Sequence, residues 1–327
     1  MTKLAIIYGG SGFLGRYIAQ GIAREGWRVR VAVRFPNQAM QVKPYGDVGQ
    51  VEPVFCNIRD DALVRSAMSG ADAVVNCVGI LNAHRRNSFD AVQHAGAERI
   101  ARIAAEEGVG QLVHISAIGA DVDSNSEYAR TKALGEACVL SEYSGAVILR
   151  PSVIFGPEDQ FFNKFAKMTR FGPVLPIVGG ATRFQPVYVE DVARAAVKAA
   201  MGHAKPGVYE LGGPVVSTMS ELMEQMLGAI KRRRLIMNLP FWAGFAIGWV
   251  FDMAQRVTFG LVTNDILTRD QVKNLRNDSM VSPVARTFSD LGINPVACEL
   301  VLGDYLWPYR PSGQYASIKD SAKNLKA

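Results

Sequence analysis

Gly9-Gly10-Ser11-Gly12-Phe13-Leu14-Gly15 is the stretch that decides the fold of this chain. The apolar run Leu4-Ala5-Ile6-Ile7-Tyr8 leads into it, and a helical pattern through Ile18, Ile22 and Ala23 follows. Strand, glycine turn and helix, in that order, build a cradle for a dinucleotide. Gly9 permits the tight turn, Gly12 lets a pyrophosphate approach the backbone, and Gly15 lets helix and strand pack closely. The free N–H groups at the helix N-terminus then face the pyrophosphate. Residues Gly9, Gly10, Ser11, Gly12, Phe13, Leu14, Gly15 and Arg16 are therefore assigned to cofactor binding.

Outward from this unit, strand and helix patterns alternate for about the first 215 residues. Strands are predicted at 4–8, 28–33, 51–58, 71–78, 112–116 and 146–149, and helices at 60–69, 88–107, 127–142 and 190–202. The strand runs are β-branched and almost continuously apolar, as parallel strands covered on both faces must be. The fold class is α/β, a Rossmann-type doubly wound parallel sheet. Residues 1–215 form the nucleotide domain, with substrate-side segments from about 150, and 216–327 a smaller interleaved C-terminal lobe.

Composition narrows the function. The chain has 327 residues, 49% hydrophobic and 20% charged, with a net charge of +6 spread over both parts. That is an ordinary globular balance without a basic tail, and nucleic acid is not an expected partner. Cys56, Cys77, Cys138 and Cys298 form no close pair and read as reduced thiols. His84, His94, His114 and His203 show no ligand spacing, so no metal is expected. No signal peptide or amphipathic presequence is recognisable before the first strand. Either the chain is bacterial and faces the cytoplasm, or it is a mature organellar chain.

Residues 218–234 predict a helix ending in Lys231-Arg232-Arg233-Arg234. Beyond it lies the uncharged run Leu239–Phe251, which holds Phe241, Trp242, Phe245, Trp249 and Phe251. It is too short to span a bilayer, which needs ~20 residues. Aromatics beside cations suit a membrane surface or lipid contact through 231–251. A core helix with a solvated basic end is the alternative.

Several positions carry chemistry. Arg34 ends the second strand, where an acidic residue binds the ribose 2′-hydroxyl of NAD and a cation favours the 2′-phosphate of NADP. A guanidinium grips phosphate with paired hydrogen bonds, and Arg16 stands ready to help. NADP(H) is preferred, with NAD(H) possible, and a solvated strand end is the plain alternative for Arg34. Asn57 and Ile58 after the third strand, and Val78 and Gly79 after the fourth, are placed near the adenosine by topology. Tyr128 and Lys132 in Tyr128-Ala129-Arg130-Thr131-Lys132 share one helix face. A nearby ammonium favours phenolate and would lower the tyrosine pKa, fitting it to protonate a carbonyl oxygen that receives hydride.

On the glycine loop, the Tyr128–Lys132 helix, Arg150–Pro157 and Val187–Ala193, the chain resembles the extended and atypical short-chain dehydrogenase/reductase families over residues 3–215. That resemblance implies cofactor contacts from Pro151 and Val153. It also implies a catalytic hydroxyl just past the fifth strand. Ala117 occupies that position and Ser116 stands one place early, so the hydroxyl is missing unless a bulge turns Ser116 into its place. Ser116–Ala120, Ser126–Glu136, Leu267–Val272, Phe288–Ile293 and Tyr305–Pro311 more closely resemble the NAD(P)H-binding accessory subunits of respiratory complex I, alpha-subcomplex subunit nine type.

That likeness implies a nucleotide held as a fixed ligand, other complex I subunits as partners, and a place where the hydrophilic and membrane arms meet near the quinone site. Tyr128 and Lys132 would then be vestigial or cofactor-binding only. Two other functions remain open at this point. One is an NADPH-dependent reductase or epimerase of a small carbonyl or sugar-nucleotide substrate. The other is a regulator that senses NADPH.

Overall fold

A computed structural model of the chain describes residues 2–83, 87–257 and 267–315. The first half runs β1 (Leu4–Tyr8), α1 (Phe13–Arg24), β2 (Arg28–Val33), β3 (Val51–Phe55), α2 (Asp61–Met68), β4 (Ala73–Asn76), α3 (Ala95–Glu106), β5 (Gln111–Ile115), α4 (Glu127–Glu142) and β6 (Val147–Pro151). It continues with β7 (Ile154–Phe155), α5 (Phe162–Met168), β8 (Val174–Val178), β9 (Arg183–Phe184), β10 (Val187–Tyr188), α6 (Val189–Ala200) and β11 (Gly207–Leu211). Then come β12 (Ser217–Thr218), α7 (Met219–Ala229), β13 (Leu235–Leu239), α8 (Phe241–Val257), α9 (Arg269–Asn274) and α10 (Cys298–Tyr305).

Seven parallel strands form one sheet in the order β3-β2-β1-β4-β5-β6-β11. The order reverses between β1 and β4, which opens a crevice at the carboxyl ends of the strands, where ligands of such sheets sit. The sheet is buried on both faces. On one side Ile18, Ile22, Val192 and Ala196 of α1 and α6 pack on Ala5, Ile7 and Val31. On the other, Val64, Ile100 and Ala104 of α2 and α3 pack on Ile6, Tyr8 and Val74. Fully burying an aliphatic side chain of this size contributes ~1.5–3 kcal/mol. Helix α1 reaches α6 closely because Gly21 has no side chain: a Cβ there would stand 2.7 Å from Val197 Cγ2.

A third core joins Phe155, Phe162, Leu175 and Phe184 to Met219, Met223, Met226, Leu302 and Leu306. This core thus draws on segments from both sides of residue 215. The structure also adds to the sequence expectation. The seventh strand, β11, had no prediction, because its five residues Gly207–Leu211 lack a long apolar run. The predicted helix at 88–107 is broken by a π-turn at Asp90–His94. The predicted helix at 218–234 stops at Ala229, and Lys231 adopts φ 51°. The basic run is therefore a loop: Arg232 donates to the Tyr309 carbonyl at 2.7 Å and Arg234 to the Thr169 carbonyl at 3.0 Å.

Candidate functional site

The glycine loop lies at the carboxyl end of β1. Gly9 has φ +76°, in the left-handed region, and its carbonyl accepts the Gly12 N–H at 3.0 Å. A Cβ on Gly15 would run into the Gly9 carbonyl oxygen and stand 2.7 Å from Gly10 Cα. A Cβ on Gly9 would stand 3.2 Å from the Cys77 carbonyl carbon. The loop therefore closes to backbone contact on both sides, which only glycine allows. Gly12 precedes α1 without any side-chain cap, leaving the first-turn N–H groups for an anion. Phe13 reaches the segment after β7, its ring 3.4 Å from where a Gly156 Cβ would be.

The two arginines have different surroundings. Arg16 turns back on the loop, donating to the Ser11 and Gly12 carbonyls at 3.3 Å and pairing with Glu158 at 3.3 Å. It braces the loop. Arg34 is exposed just past β2 and forms no hydrogen bond or ion pair among the described residues. Asn57 accepts from the Arg59 N–H at 3.2 Å, shaping the turn after β3, and Ile58 packs under α3 against Gly96.

Beneath the crevice, Lys132 Nζ donates to the Ile115 carbonyl at 2.9 Å and lies 3.5 Å from the Cβ position of Gly79. Burial, ahead of all else, lowers the Lys132 pKa to about 8, against the pull of Glu136 and Cys77. Tyr128 stacks edge-on against Phe89 at 6.1 Å between ring centroids. Its phenol is pushed up to about 12 by burial alone, with no contribution from Lys132. The expected lowering of the tyrosine pKa therefore does not occur, because the ammonium is turned to the β5 carbonyl.

Asn76 Oδ1 accepts from the Val78 N–H at 3.1 Å, and Asn76 Nδ2 meets His114 Nδ1 at 3.1 Å. His114 is buried and held neutral, its pKa lowered to about 3 by desolvation and secondly by Lys132. His114 Nε2 and Ser116 Oγ are buried without a hydrogen-bond partner among the described residues. Ala117, half-buried, follows Ser116, whose N–H is committed to the Leu149 carbonyl at 2.7 Å. Pro151 accepts the Ile118 N–H at 3.0 Å, and Val153 accepts the Val187 N–H at 3.0 Å.

Sequence reasoning missed two anchors. Asp270, in the first turn of α9, caps α4 from another part of the chain. Its carboxylate accepts from Ser126 Oγ at 2.7 Å, from the Glu127 N–H at 2.8 Å and from the Tyr128 N–H at 3.1 Å. Asp252 of α8 holds the neighbouring Arg269 Nε at 3.1 Å, so α8, α9 and α4 are linked by charge. Buried Asp159 accepts from Tyr305 Oη at 2.6 Å and from the Gly156 N–H at 3.1 Å, tying α10 to the loop after β7. Asp270 lies in the resemblance segment Leu267–Val272 but had no assigned role, and Asp159 had no sequence signal beyond its residue type. Of the four histidines, His84 lies outside the described residues.

The cradle that a Cβ would fill and the uncapped N-terminus of α1 fit a dinucleotide pyrophosphate. Residues 5–212 match the NAD dependent epimerase/dehydratase family, and the chain belongs to it. Over a longer span that includes this region, it is 36% identical over 316 residues to the "NADH dehydrogenase [ubiquinone] 1 alpha subcomplex subunit 9, mitochondrial" of Arabidopsis thaliana, covering 95% of this chain and 79% of the relative. The Mus musculus protein of that name is 31% identical over 326 residues, covering 99% and 85%. The Thermus thermophilus UDP-glucose 4-epimerase complex with NAD shares the fold, with a TM-score of 0.67 at 18% identity over 94% of this chain and 99% of that one. Within its family, the chain groups with the alpha subcomplex subunit 9 proteins.

Proposed function

We propose that this chain is an accessory subunit of a membrane-bound NADH:quinone oxidoreductase, respiratory complex I, and that it holds NADP(H) as a fixed brace. The observation that carries this reading is the span of the likeness to the subunit 9 proteins. It covers 95% of the chain, well past the dinucleotide domain that all members of the wider family need.

A bound nicotinamide nucleotide supplies hydride chemistry, but this chain's own groups favour retention. Gly9, Gly12 and Gly15 let the pyrophosphate approach the backbone, and the first turn of α1 supplies its N–H groups. Arg34, without a partner among the described residues, offers its guanidinium to a 2′-phosphate, which supports NADP(H) over NAD(H). Lys132, beside Gly79, would be the group to hold a ribose hydroxyl. The phenol of Tyr128, raised to about 12, is a poor acid at neutral pH, and Ala117 stands past β5 where the family pattern has a hydroxyl. These features argue for a ligand that stays.

No helix among the described residues is long and apolar enough to cross a membrane. Helix α8 nevertheless exposes Trp242, Trp249, Val250 and Val257. Those side chains support contact with lipid or a membrane subunit, at the junction of the two arms near the quinone site. The test is isolation from native membranes. The chain should migrate with complex I and carry about one NADP(H) per copy. A wholly soluble monomer, or steady carbonyl-dependent NADPH oxidation abolished by Tyr128→Phe, would instead favour a working reductase.

A further inference from the structure

We infer that His94, Glu98 and Cys138 form a zinc site between α3 and α4, on the helical face remote in sequence from the glycine loop. The ligand atoms of these three side chains lie within 4.8 Å of one another, and each side chain is half-buried. Bonds of ~2.0–2.3 Å to a tetrahedral ion place such donors ~3.3–3.7 Å apart, so the cluster closes by rotamer adjustments. An imidazole, a carboxylate and a thiolate suit a borderline-soft divalent ion such as Zn²⁺ and leave its fourth position to water.

Three features of the chain build this cluster. His94 and Glu98 are four residues apart at the start of α3. The π-turn Asp90–His94 puts an extra residue ahead of them, which rotates the face of the helix by roughly 100°. Helix α4 then comes in at backbone contact: a Cβ on Gly135 would strike the Gln93 carbonyl oxygen. That close approach carries Cys138, three residues on, to the imidazole.

The orientation of His94 suits a ligand. Its Nδ1 hydrogen-bonds Asp90 Oδ1 at 2.8 Å. With the proton on Nδ1 donated to that carboxylate, Nε2 keeps its lone pair for an ion, the arrangement typical of metal-bound histidine. Without an ion, Cys138 is a half-buried free thiol. Zinc binding replaces that thiol proton, which leaves to solvent. An ion here would clamp the start of α3 to the helix that carries Tyr128 and Lys132.

The test uses the full chain, reduced, stripped with chelator and then titrated with Zn²⁺ or Co²⁺ alone. Wild type should take up one Zn²⁺ per chain in competition with a chromophoric chelator, and Co²⁺ should give a near-ultraviolet thiolate charge-transfer band. His94→Ala and Cys138→Ser should each lose the band, and Asp90→Asn should weaken Zn²⁺ by about 10- to 100-fold. Cys298→Ser should leave both readouts unchanged, and far-ultraviolet circular dichroism reports folding of every variant. Absence of a thiolate band in folded wild type, or stoichiometric Zn²⁺ retained by both His94→Ala and Cys138→Ser, would overturn the inference.

Discussion

Asp270→Ala should loosen the nucleotide helix from a distance. The Asp270 carboxylate is the acceptor for three donors at the N-terminus of α4, and one of them, Ser126 Oγ, is on a buried residue. Removing the carboxylate leaves that hydroxyl without its acceptor, at ~1–3 kcal/mol for a buried polar group. It also removes a negative charge from a helix N-terminus, worth ~0.3–1 kcal/mol. The Glu127 amide is on an exposed residue and recovers a water partner, so it adds little. The expected loss is about 2–3 kcal/mol for Asp270→Ala. Asp270→Asn, which keeps one acceptor oxygen, should lose about half of that. Urea unfolding of nucleotide-saturated protein, followed by far-ultraviolet circular dichroism, measures both. The same variants should release nucleotide faster, because Tyr128 and Lys132 ride on the capped helix. A change within ~0.5 kcal/mol, the usual size for an ordinary surface substitution, would refute the capping argument.

Three further outcomes follow from the same geometry. Gly15→Val should abolish nucleotide retention on gel filtration, and with it the ligand's linkage stabilisation, ~4 kcal/mol at a thousandfold excess over Kd; thermal shift with and without NADPH measures it. Arg34→Glu should cut the preference for NADPH over NADH by about tenfold or more, equivalent to ~1.4 kcal/mol, in competition binding. His114 has a folded pKa of about 3 against 6.5 unfolded, so on acidification the unfolded chain takes up its proton first. Its contribution is full above pH 6.5 and is lost as pH falls towards 3. His114→Gln should therefore flatten the loss of stability across that window, and an unchanged pH profile of unfolding would count against a buried neutral imidazole.

How much could be read from residues alone depends on the range of the interaction. The glycine loop and the Tyr128–Lys132 pair are local patterns, fixed by one turn and one helix, and both occur where the sequence puts them. The six predicted strands are mostly apolar runs rich in β-branched residues, and all pair in the sheet. What escaped is either short or distant. Strand β11 gains its place by pairing with β6, not from its own pattern. Asp270 reaches Ser126 across 144 residues, and no spacing rule covers such a contact. His94 and Cys138 meet because a π-turn and Gly135 set the distance between two helices. The missing acidification of Tyr128 has the same origin: Lys132 is on the expected face, but the β5 carbonyl, supplied by another strand, claims its ammonium.

A nucleotide that stays with the chain inside a larger assembly is the central claim. Its most direct test is to purify complex I from native membranes, denature it, and quantify the released nucleotides by mass against copies of this chain. One NADP(H) per copy, undiminished by washing with excess NADH, is the predicted result. An assembly that contains the chain with no bound dinucleotide would contradict the central claim.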